Sequence, residues 1–428
     1  MPSSTLSQSS ELTDARDYIK ARNWSAIGAV FHAGVSLILL FQYGIKHALL
    51  WWIAVLLGFT FYRSGYGFTR AWRNLVTRHS TVGVRAHLLW VVLASCLVFP
   101  VFRFGWMGND VFDIMRPVGL MMLSGAFIFG IGMQVAGSCT SGSMYRSGSG
   151  QVRLWFSILG IIVGAFFASL QYGSWTDLPI FFVYSYQREL PLVLAIGAQV
   201  GIVGVLWLVL HKLEILWRGN AAGIFDHDEP RSSLAGINQS LDVEAGTLSG
   251  KKHWLFERWT LGAGSVILAA LSLAALILLN RPWVISLAFP LWSAKLAAAI
   301  GLEYDFEFWD YWGIPQNESM LSLGLFEDVT SLMNFGFILG ASWAALSLIK
   351  RFVENKKQSR NFNDLVYRPI ITFIGGLFMG YGAIIGLGCN IGGFIAAVIS
   401  GSVHGWAWVI AALCGTMVGV WIRRLLRI

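Results

Sequence analysis

Apolar stretches of about 17 to 23 residues recur along the chain, at 26–45, 48–66, 87–102, 118–138, 152–172, 191–211, 258–280, 330–349, 369–388 and 405–424. A helix of that length crosses a hydrocarbon core of roughly 30 Å, so the pattern predicts ten transmembrane helices. Residues 283–302 are also apolar, but polar segments expected on one side of the membrane bracket them. A re-entrant or interfacial pair suits them better than an eleventh span. The polar intervals set the rest of the layout. The first 25 residues carry Ser and mixed charge without a basic n-region and cleavage site, which predicts a disordered cytoplasmic lead and not a signal peptide. Residues 212–256, with their Asp, Glu, Gly and Ser, read as a cytoplasmic linker between halves at 26–211 and 257–428.

Composition removes the alternative of a large soluble domain. With 56% hydrophobic residues, 13% charged residues and a mean hydropathy of +0.62, a globule of 428 residues lacks the polar surface that water requires. The expected fold class is an all-α polytopic membrane protein, with the lipid bilayer as its solvent. Its many Trp and Phe side chains suit interfacial belts and lipid-facing surfaces. Cysteines stand at 96, 139, 389 and 414 with no C-x-x-C spacing and no accompanying histidine cluster, so neither a disulfide framework nor a metal site is supported. No cofactor and no catalytic constellation are expected. The net charge of +8 follows from the loops and gives no reason to expect nucleic-acid binding.

Lys and Arg set the orientation. Arg63, Arg70, Arg73, Arg78 and Arg85 cluster after the second span; Lys350, Arg351, Lys356, Lys357, Arg360 and Arg368 cluster before the ninth; Arg423, Arg424 and Arg427 close the chain. All three clusters are expected in the cytoplasm. Ten spans with both termini inside satisfy them, and leave the acidic segment 303–328 outside.

An internal repeat surrounds two of the cysteines. Gly-Ser-Cys-Thr-Ser-Gly at 137–142 answers to Gly-Cys-Asn-Ile-Gly at 388–392. Counting back from each cysteine, Gly132, Gly130 and Gly125 match Gly382, Gly380 and Gly375; forward, Gly142 matches Gly392. A further helix follows each copy, carrying Gly160 and Gly164 or Gly415 and Gly419. On the charge-derived topology the span before Cys139 runs inward and the span before Cys389 runs outward, so the copies are inverted repeats. Transporters built this way hold their substrate near the midplane, framed by broken helices. The competing reading is close packing of small-residue helices, with Cys as a small apolar residue. Cys96 and Cys414, inside apolar helices without a glycine loop, are assigned to packing.

Two chemistries are open to the repeated thiols. A buried thiol remains a weak, soft, neutral donor, and weak contacts with backbone N–H support let a desolvated anion pass where strong charges would trap it. At a positive helix N-terminus a thiol becomes nucleophilic and attacks a persulfide or thiosulfonate sulfur. Residue patterns do not choose between a transporter and a membrane thiol oxidoreductase or sulfurtransferase. An assembly subunit without a substrate is a third reading.

The segments Arg-Ser-Gly-Tyr-Gly-Phe-Thr-Arg-Ala-Trp-Arg at 63–73, Gly-Ser-Cys-Thr-Ser-Gly-Ser-Met-Tyr-Arg-Ser-Gly-Ser-Gly-Gln at 137–151 and Gly-Leu-Gly-Cys-Asn-Ile-Gly-Gly at 386–393 resemble those of the YeeE/YedE family of bacterial inner-membrane proteins. That resemblance covers most of the chain apart from its ends and the linker. It implies a helical hourglass with glycine-rich loops entering from both faces, and uptake of a small inorganic sulfur compound: thiosulfate in characterised members, with selenium-linked roles proposed for others. The family's two central cysteines match Cys139 and Cys389, so Gly137, Ser138, Thr140, Gly388 and Asn390 beside them are candidate substrate contacts. A third family cysteine, in an Arg-x-x-x-Cys-Phe motif, is replaced here by Gly67. Two thiols then suffice, or a neighbour such as Tyr66 takes over, or another anion is carried. Arg63 and Arg146 are either cytoplasmic anchors or lures for the anion at the inner mouth. No Gly-x-x-x-x-Gly-Lys-Ser/Thr motif is present, so downhill flux, drawn by a cytoplasmic sulfur-carrier protein, is the simplest energetics.

Overall fold

The computed structural model describes residues 3–106, 108, 111–221, 256–302, 305–306, 309–348 and 362–426. Ten helices long and apolar enough to cross a membrane lie among them, one for each predicted span. In chain order the helices are α1 (Ser3–Tyr43), α2 (Ile45–Ser64), α3 (Phe68–Arg78), α4 (Val82–Phe104), α5 (Leu120–Ala136), α6 (Thr140–Gly148), α7 (Arg153–Leu170) and α8 (Leu192–Ala221). Then follow α9 (Leu261–Leu279), α10 (Ala288–Ala299), α11 (Val329–Leu346), α12 (Phe362–Ile385), α13 (Ala396–Val398) and α14 (Val403–Leu425). In hydrocarbon only a helix satisfies its own backbone, and these uninterrupted apolar runs leave no other choice. The apolar run at 283–302 does not cross: a 3-10 turn, Ile285–Leu287, leads into the short α10.

Two boundaries differ from expectation. The expected lead is helical from Ser3 onward, where no Gly or Pro interrupts the chain before Gly28. Helix α8 runs ten residues into the expected linker; 222–255, the rest of it but for Phe256, and the basic run at 350–360 lie outside the described residues.

Connectors sort onto two ends. At one, a two-stranded antiparallel ribbon joins β1 (Val118–Gly119) to β2 (Ile180–Phe182), Phe112 N donates to Asn280 O, and Tyr186 N donates to Gly401 O. At the other, Trp259 N donates to Arg63 O, and the Arg423 guanidinium donates to Gln134 O. We call these the vestibule end and the arginine end.

The core helices cross backbone to backbone, and their contacts are reciprocal. A Cβ at Gly130 of α5 would come within 2.2 Å of Ala412 O on α14; one at Gly380, the matching residue of α12, would come within 2.0 Å of Ile161 O on α7. Gly125 lies against Gly386 and Gly375 against Ala136, the same pair with the halves exchanged, 250 residues apart in each case. Likewise Gly164 of α7 meets Leu377 O while Gly415 of α14 meets Phe127 O. Only glycine lets helices approach this far. The peripheral helices α1 and α8 bury little of themselves. Cys96 and Cys414, expected in helix packing, lie exposed on the outer surfaces of α4 and α14.

Candidate functional site

Three short elements meet at the centre of the bundle. Helix α6 touches both the 3-10 turn Ile285–Leu287 and the π-helical turn Asn390–Ile395 that precedes α13, and those two turns touch each other. Each cysteine begins one of them. Cys139 caps α6, its sulfur accepting the Gly142 N–H at 3.3 Å and lying 3.4 Å from Ser141 Oγ. Cys389 starts the π turn, with the Ile391 and Gly392 N–H groups and the Ser286 hydroxyl among its polar neighbours. Both thiols are 1% exposed and lie within electrostatic range of each other. The structure therefore brings together two residues separated by the whole repeat.

Glycine makes the loops possible. Gly137, at φ 71°, turns the chain out of α5, and Gly388, at φ 148°, turns it out of α12. A Cβ at Gly388 would sit 2.3 Å from Gly393 N, so any other residue would push the π turn away from Cys389. Leu387, the residue before it, is itself left-handed at φ 59° and has its carbonyl held by the Arg116 guanidinium.

Polar atoms around the thiols are buried and have no hydrogen-bond partner among the described residues: Ser138 Oγ, Thr140 Oγ1, and both Oδ1 and Nδ2 of Asn390. Each such atom costs about 1–3 kcal/mol when left unpaired. A polar guest at this junction would relieve that cost.

Above Cys389 opens a cavity of about 360 Å³ whose lining includes Gly388 and Ser286, the two groups next to that thiol. Its walls carry Arg116, Tyr172, Tyr311 and Asn317. Burial lowers the Arg116 pKa from its ordinary value, with Arg281 adding to the effect and Tyr172 and Tyr311 opposing it. Burial raises both phenols, with Arg116 pulling each back, so the vestibule offers a guanidinium and two protonated hydroxyls. None of these four wall residues was singled out by sequence. They come from three separate connectors, and the one available signal was Arg116, a cation beside Pro117 in the connector before α5.

At the arginine end, Arg146 donates to Gly137 O at 3.2 Å and Arg423 donates to Gln134 O at 2.8 Å. Arg70, Arg78, Arg146 and Arg423 all act electrostatically on Arg73. Arg63 takes no part: fully buried, it donates to Ser347 O at 3.0 Å, Ser347 Oγ at 2.9 Å and Glu257 O at 3.2 Å, and it staples α2 to α11. Tyr66, one of the three readings offered for the missing thiol, is also committed elsewhere, donating to Ala86 O at 2.7 Å with Ser265 Oγ at 3.2 Å. Gly67 lies beside α6, its missing Cβ facing the Tyr145 hydroxyl at 3.5 Å.

A helical membrane protein with a lined cavity at one end, a buried polar junction and a cluster of arginines at the other has features found in transporters of small anions. The chain belongs to the family described as Sulphur transport, which it matches over residues 63–418. It is 21% identical over 381 residues to the thiosulfate transporter TsuA of Escherichia coli K12, covering 86% of this chain and 92% of that protein. To the thiosulfate transporter TsuA of Spirochaeta thermophila it is 26% identical over 338 residues, covering 73% and 83%. The probable transporter YedE of Salmonella typhimurium is 26% identical over 148 residues, 35% of this chain and 33% of that protein.

Proposed function

We propose that this protein takes up a small inorganic sulfur anion, thiosulfate first among them, across the bacterial inner membrane from the vestibule end to the arginine end. The carrying observation is that Cys139 and Cys389, from opposite halves, lie within electrostatic range of each other, and that a cavity reaches Gly388 and Ser286 beside Cys389. The anion is collected by Arg116 with the Tyr172 and Tyr311 hydroxyls, passes Gly388 and Ser286 to the Cys389 thiol, crosses the orphaned groups of Asn390, Thr140 and Ser138 to Cys139, and leaves toward Arg146. Thiols and amide N–H groups hold it weakly enough to release it. The reciprocal glycine contacts support inverted repeats, and the three basic clusters support both termini lying in the cytoplasm, where a sulfur carrier would draw the flux.

The test is uptake of labelled thiosulfate into proteoliposomes by wild type, Cys139→Ala and Cys389→Ala, with Cys96→Ser as the control away from the path. Flux lost in both alanine variants and retained in the control is expected. Equal flux in all four proteins sinks the thiol path. Absence of thiosulfate flux from the wild type, with sulfite or selenite carried instead, changes the substrate and not the route.

A further inference from the structure

Between Cys139 and the arginine end stands a side chain that the thiol path leaves unused. Tyr145 stands on α6, six residues beyond Cys139, and is 8% exposed. Its ring packs on Phe61, centroids 6.0 Å apart. Its hydroxyl has no hydrogen-bond partner among the described residues and is not one of their fully buried orphan atoms, so the oxygen opens onto space. Cys139, Tyr62, Arg70 and Arg146 are its electrostatic neighbours. The hydroxyl thus has the thiol junction and guanidiniums of the arginine end both within reach of its field.

What it faces is space. The backbone of Gly67 is extended, φ −172° and ψ 133°, a conformation open to any residue. Around the position of its absent Cβ, apart from its chain neighbours, the Tyr145 hydroxyl at 3.5 Å is the one contact within 4 Å among the described residues. Neither backbone strain nor crowding requires a glycine there, unlike the glycines of the helix crossings. Its consequence is room in front of a donor.

We propose that the Tyr145 hydroxyl, facing the room left by Gly67, is the last hydrogen-bond donor an anion meets between Cys139 and Arg70, and that it helps to set which anion passes. This rests on the transport reading above. A phenol is a harder and stronger donor than a thiol, so it engages an oxygen of the passing anion where Cys139 and Cys389 offer soft sulfur. Selectivity at this step therefore favours anions that present oxygen toward the exit.

Tyr145→Phe keeps the ring and removes one unpartnered oxygen, so the melting temperature in detergent should hold or rise. Thiosulfate flux into proteoliposomes should fall about tenfold, the effect of losing a hydrogen bond to a charged group, and the ratio of thiosulfate to sulfite flux should change. Gly67→Val, with tyrosine retained, should block the same space and lower flux. Gly67→Cys placed on Tyr145→Phe should restore part of it by supplying a new donor. A Tyr145→Phe variant with wild-type flux and an unchanged anion ratio, measured beside a wild type that transports and a Cys139→Ala variant that does not, overturns the assignment while leaving the thiol path standing. A wild type with no anion flux overturns the transport reading itself.

Discussion

Arg116→Gln separates anion capture from anion passage. The guanidinium lies on the vestibule wall and also holds Leu387 O. Two unit charges about 4 Å apart attract by about 4 kcal/mol at an effective dielectric of 20. The vestibule admits water, and the anion surrenders hydration to enter, so the net value is that of a charge-assisted hydrogen bond, about 1.5–3 kcal/mol. Taking about 2 kcal/mol, the half-saturating thiosulfate concentration should rise about 30-fold. Loss of the bond to Leu387 O costs about 1 kcal/mol of stability, which a melting curve in detergent will register and which leaves the bundle folded. Initial uptake of labelled thiosulfate, measured against external concentration in proteoliposomes, gives both parameters. The expected pattern is a raised half-saturation point with plateau flux within about twofold of wild type, because the residues at the thiols are untouched. Arg116→Lys should lie between the two, keeping charge without the planar fork. An unchanged half-saturation point, with variant and wild type equally folded, would refute capture by Arg116.

Three further outcomes follow from the geometry. Ser286→Ala takes a hydroxyl from the cavity wall beside the Cys389 sulfur; loss of one donor to the passing anion, worth about 1 kcal/mol, should lower thiosulfate flux about fivefold without moving the half-saturation point. Gly380→Leu forces a side chain where a Cβ already lies 2.0 Å from Ile161 O, so overpacking should destabilise the bundle by at least about 1–3 kcal/mol, read as a fall in melting temperature and in yield of folded protein. Vestibule affinity should be flat from about pH 6 to 9: Arg116 is lowered from the high value of a guanidinium and remains a cation, while Tyr172 and Tyr311 are raised by burial and remain neutral. A several-fold change in half-saturation across that range would show that another group titrates in the vestibule.

Much of the site was legible because a repeat marks it. Cys139 and Cys389 stood out by their shared glycine context, and the structure joins them. Arg63 stayed open between anchor and lure, because a cation at the end of a span looks the same in sequence whether it faces a path or staples two helices; here it donates to Ser347 and to Glu257 O. Tyr66 stayed one reading of three for the missing thiol, and its hydroxyl is turned to Ala86 and Ser265. Cys96 and Cys414 looked packed because an apolar helix does not announce which of its faces meets its neighbours.

The sequence by itself determined the class, the ten spans and the two thiols, since span length, charge bias and a repeated motif are local properties that bilayer thickness and electrostatics read one segment at a time. Only tertiary structure decided the vestibule and the exit. Arg116, Tyr172 and Tyr311 belong to three separate connectors, Ser286 to a turn that never crosses, and Tyr145 to a helix whose hydroxyl gains its meaning from a glycine 78 residues away. Their meeting depends on how closely the helices approach, and that is fixed by backbone contacts at glycines whose partners lie in the opposite half of the chain.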